Sequence, residues 1–137
     1  MKKLLWLLPV AAVLAGCAGA RSTVYEGERV GRARMLPKEE VQLDKPILMI
    51  KGNLPPEMKV EVIGEVRANQ AFYGDTSRVY ASMAAKARQV GADAVVQVKV
   101  KYRVSALAWS APTVSGVGVK IIDAGGIDIK KIDGEWR

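Results

Sequence analysis

The strongest constraint on the fold is a helix pattern followed almost at once by a strand pattern, between residues 75 and 104. Asp75 or Thr76 is expected to cap the helix, and Gly91 predicts its end, because glycine readily takes the left-handed conformation that closes a helix. Between them, apolar residues line one helical face, at Val79, Met83, Ala87 and Val90. The run 94–104 then alternates, and predicts a strand whose buried face carries Val96, Val98, Val100, Tyr102 and Val104.

Shorter patterns on either side of this unit predict the remaining strands. Residues 47–50 form an apolar run, and residues 58–66 alternate except at Ile63, which predicts a bulge. Residues 105–113 are read as a fairly apolar loop that leads to a last strand at 114–122. The order strand, strand, helix, strand, strand predicts an α+β fold, a two-layer sandwich of one helix on an antiparallel sheet of about four strands. A dimer or small ring that covers the sheet edges is a further hypothesis.

The start of the chain has the layout of an export signal. A basic start at 1–3 precedes an apolar segment at 4–14 that is too short to span a bilayer, which needs about 20 residues. Leu14-Ala15-Gly16-Cys17 then resembles the lipobox of bacterial lipoproteins. In that family the cysteine thiol receives a diacylglycerol and further acylation follows, so the resemblance implies a lipid on Cys17, the only cysteine of the chain. The alternative is an incidental cysteine in an ordinary signal peptide.

The same resemblance predicts where the protein lies and how the chain is divided. An aspartate after the lipidated cysteine would favour the inner membrane in that family. Ala18 stands there instead, which implies the outer membrane, facing the periplasm. A short strand at Val24-Tyr25 or at 41–43 stays open within the tether. We divide the chain into a signal peptide at 1–16, a lipidated N-terminus and flexible tether at 17–45, a small α+β domain at 46–122 and a C-terminal tail at 123–137.

Composition excludes several kinds of active site. The chain has no histidine, and its one cysteine is assigned to the lipid, which removes Ser-His and Cys-His dyads and zinc sites built from these residues. The sequence also has no nucleophile elbow, phosphate-binding glycine loop or metal-spaced cluster. We therefore expect no catalytic residue, no metal ligand and no cofactor, and hence a protein that is not an enzyme. An enzyme that relies on carboxylates and lysines alone is the alternative.

Three short runs carry a second resemblance, namely IGEV at 63–66, AAKARQVGADAVVQV at 84–98 and SGVGVKI at 115–121. They are similar to the heavy-metal-binding domain family and to the outer-membrane stress-sensor lipoproteins of the Rcs phosphorelay. The resemblance implies a lipid-tethered sensor or scaffold, and for the metal-binding relatives assembly into rings. Their specific functions do not carry over, because this chain lacks soft metal ligands and the cysteines of the sensor's disulfides. Asp93 is expected to bond N–H groups of the turn, and a metal or catalytic carboxylate is its alternative role.

Two groups of side chains are candidates for contact with a partner. Lys99, Lys101 and Arg103 share the polar face of the strand at a spacing of about 7 Å, so they either dock an anionic partner or form a solvated face. Leu107 and Trp109 lie in the predicted loop, where they either pack under the tail or touch a membrane or partner.

These observations predict a lipid-anchored envelope protein with a non-enzymatic binding, sensor or scaffold domain in the periplasm. The expected partners are the membrane, through Cys17, and another envelope protein or an anionic lipid or glycan, since the net charge is +7. Nucleic acid is not expected, because the chain is read as exported and its cations are not interleaved with aromatic residues. The alternative function is a small oligomeric domain linked to a ligand or a metal.

Overall fold

The computed structural model describes residues 21–25, 35–71, 74–105 and 108–137. One helix, α1 at Ser77–Gln89, packs against β-strands, and short 3-10 helices lie at Lys38–Glu40 and Ile129–Lys131. The strands in chain order are β1 at Arg21–Tyr25, β2 at Leu48–Met49, β3 at Lys59–Asn69, β4 at Ala94–Ser105, β5 at Ala108–Asp123 and β6 at Glu135–Trp136.

The strands form one mixed sheet in the order β1-β3-β5-β4-β2-β6. All pairings are antiparallel except that of β2 with β4. The α+β class is therefore as predicted, but the prediction of an antiparallel sheet is wrong, because β2 pairs with β4 in parallel. The predicted number of strands is too low, because within the described ranges the sheet has six strands rather than about four. Of the two edge strands, β1 contains the short strand that the sequence left open at Val24-Tyr25, and β6 has two residues, too few to show an alternation.

Both ends of α1 follow local rules. Asp75 Oδ1 accepts a hydrogen bond from Ser77 N at 3.0 Å at the helix start. At the other end Gly91 has a φ of +79°, its N–H donates to Arg88 O at 3.1 Å, and Ala92 N donates to Ala87 O at 2.9 Å. This paired closure is a Schellman motif, which leads the chain directly into β4. The predicted apolar stripe is buried.

Apolar side chains are buried on both faces of the sheet. The cluster under α1 includes Val66, Met83 and Val114. A second cluster on the opposite face contains Leu48, Ile50, Ala94, Val96 and Val119, with Ile129 and Ile132 packed against it. The segment 123–137, which the sequence leaves as a tail, thus covers part of the sheet and adds β6 to its edge. Arg21–Tyr25, within the segment assigned to a tether, likewise pairs with β3.

The alternation along β4 is interrupted, which contradicts the prediction of one continuous buried face. Gln97 has a φ of +53°, and the register with β5 shifts between Val96 and Lys99. As a result Val96 joins the second cluster while Val98 joins the cluster under α1. A similar shift between Val62 and Gly64 in β3 is the bulge that Ile63 predicts.

The remaining apolar residues of β4 are exposed rather than buried. The exposed fractions are 37% for Val100, 62% for Tyr102 and 67% for Val104. The physical reason is coverage, because α1 packs against β1, β3 and β5, and the far half of β4 extends beyond it. An alternating pattern shows that one face is apolar, and it does not show that another element covers that face.

The predicted loop at 105–113 is wrong over residues 108–113, which form the first part of β5. β4 and β5 pair as far as Ser105 and Ala108. Pro112 fits in this strand because its carbonyl accepts a hydrogen bond from Gln70 N at 3.2 Å, just beyond the end of β3. In an antiparallel pair the N–H and C=O of a residue point to the same side, so the proline nitrogen faces β3 where that strand has ended. No ladder bond to β4 is lost.

Candidate functional site

The far half of the β4–β5 hairpin has an exposed strand, because every β4 residue from Lys99 to Val104 is exposed. We call it the hairpin arm and define it as residues 99–105 of β4 together with residues 108–115 of β5. Lys99 pairs with Ser115, Lys101 with Thr113 and Arg103 with Ala111. These pairings place the three cations in one row on the face of the sheet away from α1, as predicted; we call it the cationic row.

The cationic row has no compensating charge within the part of the chain that the structure describes. None of its three side chains forms an ion pair or a side-chain hydrogen bond with another described residue. On neighbouring β3, Glu65 is already engaged by Arg67, whose Nε and Nη2 donate to its two carboxylate oxygens at 2.7 and 3.2 Å. The face therefore presents positive charge on β4, beside β5 side chains that are buried or half-buried.

The opposite face of the arm is apolar. Val100, Tyr102 and Val104 project there and are the exposed residues described above; we call them the apolar row. Their exposure leaves a narrow apolar strip on a strand that has cations on its other side. On β4 the side chains of both faces are thus accessible, whereas Ala111, Pro112 and Val114 on β5 are fully buried. The sequence did not predict the exposed apolar row, since it assigned that face to the core.

The other candidate residues have different outcomes. Cys17 and Leu107 lie outside the described residues. Trp109 belongs to the backbone of β5, and its side chain is also outside what is described. The predictions of a lipid on Cys17 and of an apolar contact through Leu107 and Trp109 therefore stay predictions.

Asp93 connects three parts of the fold. Its Oδ2 accepts a hydrogen bond from Ile121 N at 2.8 Å, and its Oδ1 forms an ion pair with Lys45. The bonded N–H belongs to β5 rather than to the turn after α1, so the expected partner was wrong although the structural role was right. Sequence reasoning missed Lys45, because nothing in its surroundings marks a residue 48 positions away as a partner.

A second polar cluster holds the C-terminal segment against the helix. Arg88 donates to Lys45 O at 2.6 Å and to Arg137 O at 2.8 Å. Arg137 in turn lies over the ring of Tyr80, with 5.8 Å between guanidinium and ring centre, and pairs with Glu135. Burial, and then the nearby Glu135 charge, raise the pKa of the Tyr80 hydroxyl above its ordinary value of 10.0, which the charge of Arg137 partly opposes.

An apolar cavity of about 690 Å³ lies next to the Lys45–Asp93 ion pair. Its walls include Ile121, Ile129 and Trp136. Of the charged side chains that line it, Asp93 is already bonded to Lys45 and to β5, which leaves the exposed Lys130 as its available charged side chain. The hairpin arm, with its unpaired cations, is the stronger candidate for contact with a partner.

Among the described residues, no group of three or more histidine, cysteine, aspartate or glutamate side chains is placed to hold a metal ion. No helix in the described ranges has the length and apolar character needed to cross a membrane. No protein-family model, curated protein or solved structure matched the chain.

Proposed function

We propose that this chain is a lipid-anchored, non-enzymatic protein of the bacterial envelope, and that its hairpin arm binds an acidic envelope component. The cationic row is the observation that supports the binding role. Its three charges lie on one open face and have no partner in the described part of the chain. The lipobox ending at Cys17 supports the anchor.

The row can supply a useful but limited affinity. An exposed ion pair contributes about 1 kcal/mol at most, because water and salt screen the charges. Three such pairs made together contribute about 3 kcal/mol, or roughly a hundredfold in Kd. The acidic partner would therefore gain specificity and a faster encounter from the cations, and further affinity from other contacts with the arm.

Crosslinking in intact cells tests the binding role. A photo-crosslinking residue at Thr113, opposite Lys101 on the cationic face, keeps all three cations in place. The same residue at Ala85, on the exposed side of α1, is the control position. We expect a discrete adduct from position 113 and none of the same size from position 85.

A charge comparison makes this test specific. Replacing all three cations of the row by glutamine should remove the adduct, whereas the control Lys59→Gln/Lys130→Gln/Lys131→Gln removes three exposed charges elsewhere and should keep it. Failure to form an adduct, or an adduct that survives neutralisation of the row, would refute the binding role. The anchor is tested separately, since Cys17→Ser should abolish labelling by radioactive palmitate and release the protein from the membrane fraction.

A further inference from the structure

The outer edge of β4 is only partly covered by β2. Ile50 N donates to Val95 O at 3.0 Å, and Val98 N donates to Ile50 O at 3.0 Å. Gln97 N adds a bond to Gly52 O at 2.8 Å. Beyond Val98, no strand in the described ranges pairs with this edge. The hairpin arm therefore has an open edge in line with β2.

Hydrogen-bond geometry identifies the backbone groups that face this open edge. In an antiparallel pair, successive residues point their N–H and C=O groups alternately toward and away from the partner strand. Val98 N points toward β2, so Tyr102, four residues further on, points its N–H and C=O to the same outer side. The residues of the cationic row point toward β5 instead.

Pro112 supports this assignment independently. It is the residue opposite Tyr102, and its carbonyl accepts from Gln70 N on the β3 side. Because Pro112 points away from β4, its cross-strand partner Tyr102 must point away from β5. The N–H and C=O groups of Val100 and Tyr102 are thus unpaired within the described part of the chain and directed outward, whereas a register shift between Arg103 and Ser105 interrupts the regular pairing at Val104.

The side chains on this edge select what can add to it. A strand placed alongside the arm would have one set of side chains next to the cationic row and the alternate set next to the apolar row. A second copy paired through the same edge would bring two cationic rows together, and like charges on neighbouring strands are destabilising. Basic and neutral strands gain nothing from the row. An acidic strand gains electrostatic attraction from the row, so charge complementarity favours an acidic strand as the occupant of this edge.

We propose, resting on the function proposed above, that the acidic partner contributes an extended peptide segment with alternating acidic and apolar side chains, which adds as a further strand to the edge formed by Val100 and Tyr102. This mode of recognition, strand addition, draws affinity from main-chain hydrogen bonds and specificity from alternate side chains. Strand addition gives a role to both faces of the arm, because each face contacts one set of side chains of the added strand.

Amide hydrogen exchange measured by NMR on the full-length chain in detergent micelles tests the proposal. The probe is a capped seven-residue peptide in which glutamate and valine alternate, beginning and ending with glutamate. At about ten times its Kd, this peptide should slow exchange at the outward amides of Val100 and Tyr102 by about tenfold. The inward amides of the cationic row, already bonded to β5, should exchange slowly with or without the peptide. The same peptide with lysine in place of glutamate should have no effect.

Two pairs of variants separate the backbone from the side chains. Tyr102→Pro removes an outward N–H without removing a bond to β5, whereas Tyr102→Thr keeps that N–H; only the proline variant should lose binding by about tenfold or more. Lys101→Glu should weaken binding, and Lys59→Glu, an equal charge change at another exposed position, should not. Unchanged inward amides in each variant would verify that the arm is still formed.

The outcomes distinguish this proposal from the one on which it rests. Peptide binding without protection of the outward amides, outward amides that are already protected in the free chain, or equal binding by both Tyr102 variants would each overturn strand addition. Absence of peptide binding would overturn it as well. In all of these cases an adduct from position 113 that depends on the cationic row would still support the proposed binding role, whereas absence of that adduct would refute the role itself.

Discussion

Replacing Asp93 tests the account of this carboxylate as a structural clamp. Asp93→Ala removes the acceptor of the Ile121 N–H, a bond of 2.8 Å, together with the partner of Lys45. A hydrogen bond to a charged group contributes about 1.5–3 kcal/mol, and a partly exposed ion pair about 1 kcal/mol or less. We therefore expect Asp93→Ala to lower the free energy of unfolding by about 2–3 kcal/mol, which is a fall of roughly 10 °C in Tm.

Asp93→Asn separates the two contributions. The amide oxygen can still accept from Ile121 N, while the charge that attracts Lys45 is gone. The loss should then be only about 1 kcal/mol or less. Lys45→Met should cost a similar amount, and the double variant should cost little more than either single one, because both remove the same ion pair.

Thermal and urea unfolding of the full-length chain, followed by circular dichroism, measure these differences. Two results would refute the reasoning. If Asp93→Asn destabilised the protein as much as Asp93→Ala, the charge of Asp93 rather than its hydrogen-bond acceptor would account for the loss of stability. If Asp93→Ala left Tm unchanged, the contact between Asp93 and β5 would not contribute to the stability of the fold.

Two further predictions address the C-terminal segment and Tyr80. Gly134→Ala should destabilise the fold by about 1–3 kcal/mol, because an added Cβ would lie 2.5 Å from Ile50 Cγ2. Gly52→Ala, which meets nothing within 4 Å, should leave Tm unchanged; equal melts for both would contradict the packing of the segment on the sheet. Because the pKa of Tyr80 is raised from 10.0, its contribution is complete below pH 10 and is lost as pH rises through the folded value. Tyr80→Phe should flatten the fall in stability above pH 10, and an unchanged pH profile would contradict the raised pKa.

The parts of the fold that the sequence predicted are those set by neighbouring residues. The helix end follows from Gly91, whose left-handed backbone is a property of that position alone. The bulge in β3 could be predicted because Ile63 interrupts the alternation of apolar and polar residues in the sequence. For the same reason the cationic row could be placed on one strand face before the sheet was known.

The errors arise where distant elements decide the outcome. The bulge at Gln97 leaves no trace in the sequence, since Val96 and Val98 continue the alternation. It depends instead on the segment just after β2, where Gly52 O accepts the Gln97 N–H, and on apolar clusters that cover both faces of the sheet at this point. Val96 and Val98, which are separated by one residue, can then both be buried, on opposite faces of the sheet. No local periodicity contains that information.

The exposed arm has a structural basis in β5 rather than in its own packing. Its apolar row gains little from burial, so the arm on its own would be a marginal two-stranded hairpin. β5, however, continues from the tip of the arm to its pairing with β3 under α1. The core therefore holds one strand of the arm, and that strand holds β4. Along residues 99–102 an added strand would extend a sheet that already continues through β5 to β3. Only beside the tip of the arm would it act as a third strand, which is the arrangement that becomes stable in water. The same continuity gives the arm a defined direction relative to the core, so its two rows face an approaching partner without prior rearrangement.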